Sequence, residues 1–156
     1  MQLTQFTDYS LRALIYIALR KESCTIKDIT EAYGISNNHL IKIIHNLAKL
    51  GLIKTIRGKK GGILMAAQLE AINLGQLIAQ LEPHFDLVPC FNKEKANCCI
   101  APVCKLKGVL HEAQAAFMKV LERYTLADVL HNPSELSVFL NIKLEGARVK
   151  SLDNRI

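Results

Sequence analysis

Apolar residues recur along this chain with two different periods, and the change of period marks out its elements. Leu11, Leu14, Ile15 and Ala18 have helical spacing, which predicts a first helix with one buried face and Thr7 as its N-cap. The run from Thr25 to Gly34 predicts a short second helix, because a glycine at the end can adopt the positive φ that stops a helix cheaply. Ser36 then caps a longer helix reaching about Leu50. Two helices joined by a tight turn at Gly34 form the outline of a helix-turn-helix.

The third predicted helix is two-faced. Leu40, Ile43, Ile44, Leu47 and Leu50 fall on one side of the helical wheel, while Asn38, Lys42, His45 and Lys49 share a polar stripe on the other. Asn and Lys hydrogen-bond base edges or phosphates, and the end carrying Ser36, Asn37, Asn38 and His39 is the one such motifs place in the major groove. The period then shortens. Two β-prone runs, 52–57 and 62–66, flank Gly58-Lys59-Lys60-Gly61 and predict a hairpin. Arg57, Lys59 and Lys60 at its tip are candidate phosphate contacts of a wing.

Helical spacing returns at Leu74, Leu77, Ile78 and Leu81, a short helix ended by Pro83. From Val103 the apolar series Val103, Leu106, Leu110, Ala113, Phe117, Val120 and Tyr124 alternates three- and four-residue steps. That seam suits a long helix packed at a shallow angle against a partner, and a second copy of the chain is the favoured one. The fold class expected is mainly α: a winged helix-turn-helix domain at 1–82 with a short β-hairpin wing, then a cysteine-rich loop at 83–104. A long dimerisation helix with packing helices follows at 105–140, and a mobile tail at 141–156.

Charge reinforces the winged reading. Residues 1–65 hold ten Lys or Arg against four Asp or Glu, and the remainder holds ten of each, so the whole net charge of +6 sits where the helix-turn-helix and wing lie. A basic half of this kind is expected to meet a polyanion, here double-stranded DNA. A nucleophile elbow, a glycine-rich phosphate loop and a metal-hydrolase motif are all missing, so an enzyme is not expected. The N-terminus has no basic segment leading into an apolar stretch, and no run is long enough to span a bilayer, so a cytoplasmic protein without membrane association is expected.

In a reducing compartment the cysteines change meaning. Cys90, Cys98, Cys99 and Cys104 fall within fifteen residues, whereas Cys24 stands alone and reads as a buried small residue. Seven residues separate Cys90 from Cys98 and five separate Cys98 from Cys104, wider than the pairs of zinc knuckles. Such spacing suits an iron-sulfur cluster, which needs thiolates but accepts a different fourth ligand. Zinc and a thiol redox switch stay open as alternatives.

Several motifs in order, MQLTxFTDYxLRAL at 1–14, RGKxGG at 57–62, Leu81-Glu82-Pro83 and YTLAD at 124–128, resemble the NsrR branch of the NsrR/IscR-type winged-helix regulator family. The resemblance runs to about residue 130. It implies a homodimeric repressor whose operator binding is controlled by an iron-sulfur cluster, 4Fe-4S or 2Fe-2S, that senses nitric oxide. It also implies Cys90, Cys98 and Cys104 as ligands, with Cys99 the alternative to Cys98, and Asp8 of the partner subunit completing the coordination. The gap after Cys90 is longer than the family spacing. IscR-like proteins place a histidine ligand three residues after the last cysteine; here that position is Lys107, and His111 is expected on the surface of the long helix. Arg12 is expected to pair with Asp8 when no cluster is bound. The other readings are a cluster-free or zinc-containing winged-helix factor, and a relative responding to iron or oxidative stress.

Overall fold

A computed structural model describes residues 2–20, 22–58, 61–92, 94 and 96–142. Lys59 and Lys60 of the expected wing tip, and the expected tail from 143 onward, lie outside the described residues. The order is α1 (Gln5–Leu19), α2 (Ile26–Tyr33), α3 (Asn37–Lys49), β1 (Ile53–Ile56), β2 (Gly62–Met65), α4 (Leu74–Leu81), α5 (Lys105–Leu121) and α6 (Pro133–Phe139). This is a mainly helical winged helix-turn-helix, as expected.

α1 is the hub, touching α2, α3, α4 and β2. Such a helix is covered on several sides, so its buried set, which includes Ser10, Ala13, Leu14, Tyr16, Ile17 and Leu19, is broader than a single stripe. Its N-cap is Thr4, not Thr7. The Thr4 hydroxyl accepts the Thr7 N–H at 3.3 Å, and Thr7 itself is fully buried. The start of the helix is fixed by a tertiary bond that local propensity does not contain: Glu82, at the end of α4, accepts the Thr4 N–H at 2.7 Å and its hydroxyl at 3.2 Å.

The helix-turn-helix is set by local chemistry. Thr25 and Asp28 form a reciprocal capping box on α2, and Gly34 ends that helix at φ 65°, the left-handed region where a side chain is strained. Ser36 caps α3 by accepting the His39 N–H. Leu40, Ile43, Ile44 and Leu47 are buried, and α3 packs on α1 and α2. β1 and β2 pair antiparallel in the register Ile53↔Met65 to Ile56↔Gly62. Cys24, fully buried as expected, pairs with Ile63 through Cys24 N–H to Ile63 C=O at 3.1 Å and the reverse bond at 2.7 Å, so the α1–α2 connection becomes a third rung beside the hairpin.

After α5 the chain returns to this body. Asn73 caps α4 with its side-chain oxygen while its amide donates to the Glu122 carbonyl at 2.7 Å, joining the start of α4 to the end of α5. Leu126, Leu130 and Ile142 enter the same core as Leu14 and Leu47.

Candidate nucleic-acid interface and cysteine loop

The outer face of α3 carries the sequence-expected residues together. Ser36, Asn37, Asn38, His39, Lys42, His45 and Lys49 are all exposed, and Arg57 is exposed where β1 ends. Residues 32–69 contain no Asp or Glu at all, against six Lys or Arg, so no carboxylate in this stretch opposes a phosphate. That uninterrupted acid-free stretch is a plain sequence signal, and a sharper one than the charge of the whole half. One residue breaks the polar face: Ile41 lies 51 % exposed among these side chains.

α1 touches both helices of the motif from a single turn. The Tyr9 ring lies 6.3 Å from that of His39 at the start of α3, and the Arg12 guanidinium lies 5.9 Å from the Tyr33 ring centre at the end of α2. Burial pushes the Tyr33 hydroxyl up to about 12. Arg12 donates to Asp8 from Nε at 3.0 Å, one helical turn apart as expected, and that bond raises the guanidinium above its ordinary value. Both side chains are nearly half exposed, so the pair adds little to stability, and the Asp8 carboxylate faces outward.

The cysteine loop leaves α4 at Glu82, the residue that holds the start of α1. Cys90 sits in a 3₁₀ turn, Pro89–Phe91, half-buried. Cys98 and Cys99 are exposed, and Cys104 is the half-buried residue from which α5 begins. All four thiols are free, and among the described residues no three His, Cys, Asp or Glu side chains converge to hold a metal ion. The donor chemistry fits an iron-sulfur cluster, since thiolates on irregular backbone are free to reorient; closing them on one centre requires the loop to move.

Two contacts fasten the loop to α5, and sequence reasoning missed both. Phe91 stacks flat on His111, ring centres 3.8 Å apart and planes within 1°, and the Gln114 amide donates to the Phe85 carbonyl at 2.6 Å. His111 is on the helix surface, as expected, but as a seat for the residue after Cys90. The helix has two apolar faces where the sequence suggests one seam. Leu110, Gln114, Phe117 and Leu121 are half-buried, whereas Leu106, Val109, Ala113, Ala116 and Val120 are exposed. The seam read from spacing mixes these faces, because Leu110 and Phe117 lie on the half-buried side and Val109 and Ala116 take their places on the open one. Val103 and Tyr124 lie outside the helix.

The profile of the Rrf2 family, described as an iron-dependent transcriptional regulator, matches residues 3–132. The chain belongs to the Rrf2 family. Among its relatives are the HTH-type transcriptional regulators NsrR of Halalkalibacterium halodurans, 50 % identical, and of Shouchella clausii, 49 % identical, each over 92 % of this chain. The matches cover 99 % and 97 % of those proteins. The T. potens IscR structure superposes with a TM-score of 0.68 at 26 % identity, covering 87 % of this chain and 90 % of that one. The similarity is thus to an NsrR-type Rrf2 regulator with a winged-helix fold. As a member of a family of transcriptional regulators, the protein is a DNA-binding regulator and not an enzyme. Among the described residues of this Rrf2 chain, no helix is long and apolar enough to cross a membrane.

Proposed function

We propose that the chain is a homodimeric repressor that binds a double-stranded DNA operator and releases it on exposure to nitric oxide. In this reading α3 enters the major groove with Ser36, Asn37, Asn38 and His39 leading, and Lys42, His45 and Lys49 contact bases or backbone. Arg57, Lys59 and Lys60 hold phosphates. The open face of α5 meets its symmetry mate, which covers apolar residues the body leaves in solvent.

Cys90, Cys98 and Cys104 of one subunit, with Cys99 as the alternative to Cys98, and Asp8 of the partner subunit would hold an iron-sulfur cluster, 4Fe-4S or 2Fe-2S. When bound, it supplies an iron centre that reacts with nitric oxide and ties the two subunits together. The observation that carries the reading is the position of Asp8. Its carboxylate is nearly half exposed and, among the described residues, is held only by Arg12, while its neighbours in the same helical turn contact both helices of the DNA-binding motif. Engaging Asp8 from the other subunit frees Arg12 beside Tyr33 and fixes α1, and through Tyr9 it fixes the leading end of α3. Losing that engagement returns Asp8 to Arg12. A local change in the partner of one carboxylate thereby biases the spacing of two recognition helices.

The test is anaerobic purification, a visible spectrum, and operator binding before and after stoichiometric nitric oxide. Brown protein with absorption near 400 nm and loss of binding on treatment supports the reading. Cluster-loaded protein with unchanged operator affinity sinks it. The ungathered thiols favour one other reading, a cluster-free winged-helix factor; that protein would bind DNA equally well after anaerobic iron chelation.

A further inference from the structure

The exposed face of α3 is polar except at one position. Ile41 is 51 % exposed, although the inward side of the helix is complete without it: Leu40, Ile43, Ile44 and Leu47 are each at most 5 % exposed. Ile41 is not among the buried residues of the hydrophobic core. Its neighbours one turn away on the outer surface are Asn37, Asn38 and His45, all exposed. With about half its surface in solvent, an apolar side chain in this position adds little to the core. It is also β-branched and therefore stiff at χ1 in a helix, so little freedom is lost when it is pressed against a surface.

The major groove offers one apolar feature to such a side chain, the C5-methyl group of thymine. Asn, the residue type one turn before Ile41 at positions 37 and 38, is suited to adenine, whose N6 and N7 atoms it can bond together. Resting on the reading that α3 is the DNA-facing helix, we propose that Ile41 is a specificity-determining residue that packs on a thymine C5-methyl, with Asn37 and Asn38 placed for neighbouring A·T contacts. Positive residues on this face supply affinity for any sequence. Ile41 supplies discrimination that no charge can give.

The experiment uses the full chain and a duplex that it enriches from a random-sequence pool. Each thymine is replaced in turn by deoxyuridine, which keeps the hydrogen-bonding edge and removes only the methyl group. Wild-type protein is expected to lose about fourfold in affinity at the contacted thymine, the factor for one apolar carbon returned to water. Ile41→Ala is expected to bind the thymine duplex more weakly and to be indifferent to the same replacement. Since Ile41 is half exposed and not among the buried core residues, the variant's thermal unfolding should stay close to that of the wild type. Lys42→Ala, measured alongside, separates the two levels of the inference. If Lys42→Ala weakens binding and flattens the salt dependence while Ile41→Ala keeps the full uracil penalty, the role of Ile41 is overturned and that of α3 stands. If neither variant changes binding, α3 is not the DNA-facing helix, and both readings fall.

Discussion

α3 and α5 are both amphipathic in sequence, yet they end in opposite conditions. α3, with 13 residues, buries Leu40, Ile43, Ile44 and Leu47, and α5, with 17 residues, buries none. Periodicity says that a face wants cover; it does not say who provides it. α3 is covered by helices that precede it within a few tens of residues. α5 leaves the body after a long loop, is held by Phe91, Gln114 and the Asn73–Glu122 bond, and keeps Leu106, Val109 and Val120 in solvent. The molecule thus divides into a body that completes its own core and an arm that does not.

The largest effect that would test this division is at Leu47, which is fully buried. Leu47→Ala is expected to lower unfolding stability by roughly 2–5 kcal/mol in urea titration, through lost burial and the cavity left behind. The arm should respond differently. Leu106→Glu, at a position 64 % exposed, is expected to leave the helical content of the subunit intact. It should weaken self-association at least about thirtyfold by sedimentation, the scale of losing one apolar anchor at the centre of an interface. Equal losses of folding stability in both variants would erase the contrast.

A smaller effect separates body from loop by thiol chemistry. Burial pushes Cys24 up to about 11, whereas Cys98 and Cys99 are exposed. Alkylation at neutral pH followed by peptide mapping should label Cys98 and Cys99 while Cys24 is spared until the protein unfolds. A thiol whose folded pKa is raised gives stability that is whole below the ordinary thiol value and lost as pH rises through about 11. Cys24→Ala should therefore flatten the alkaline limb of the stability profile. Early labelling of Cys24 would mean that the body opens as readily as the loop.

The smallest effect lies where the arm rejoins the body. Asp128 accepts the Thr125 N–H at 2.7 Å and its hydroxyl at 2.8 Å, and the backbone bond first, then the hydroxyl, lowers its pKa. A carboxylate lowered in the folded state contributes stability that is present above its unfolded pKa and lost as pH falls through the folded one. Asp128→Asn is expected to leave only a slight change on the acid side, visible by titration followed by NMR.

Much of the body was legible because its signals are local. Thr25 with Asp28, Gly34, Ser36 and the glycines of the wing each act within four residues, so the sequence carries them in plain order. Thr7 was misread as a cap because the true cap, Thr4, is held by Glu82, 78 residues away. The α5 seam was misread for a related reason: two apolar faces at adjacent angles share one spacing until packing assigns each a side. The ligand cysteines were legible as candidates from number and spacing, but neither property fixes where an irregular loop puts its thiols.

The sequence by itself determined the helix-turn-helix, the wing, the basic acid-free stretch and the set of candidate thiols, since these rest on propensity, capping and charge. Only the tertiary structure decided that Glu82 ties the cysteine loop's root to the helix bearing Asp8, that Tyr9 and Arg12 reach both helices of the motif, and that Ile41 stands exposed on the polar face. Those facts depend on which distant surfaces meet, and burial of one face against another is a property of the whole chain.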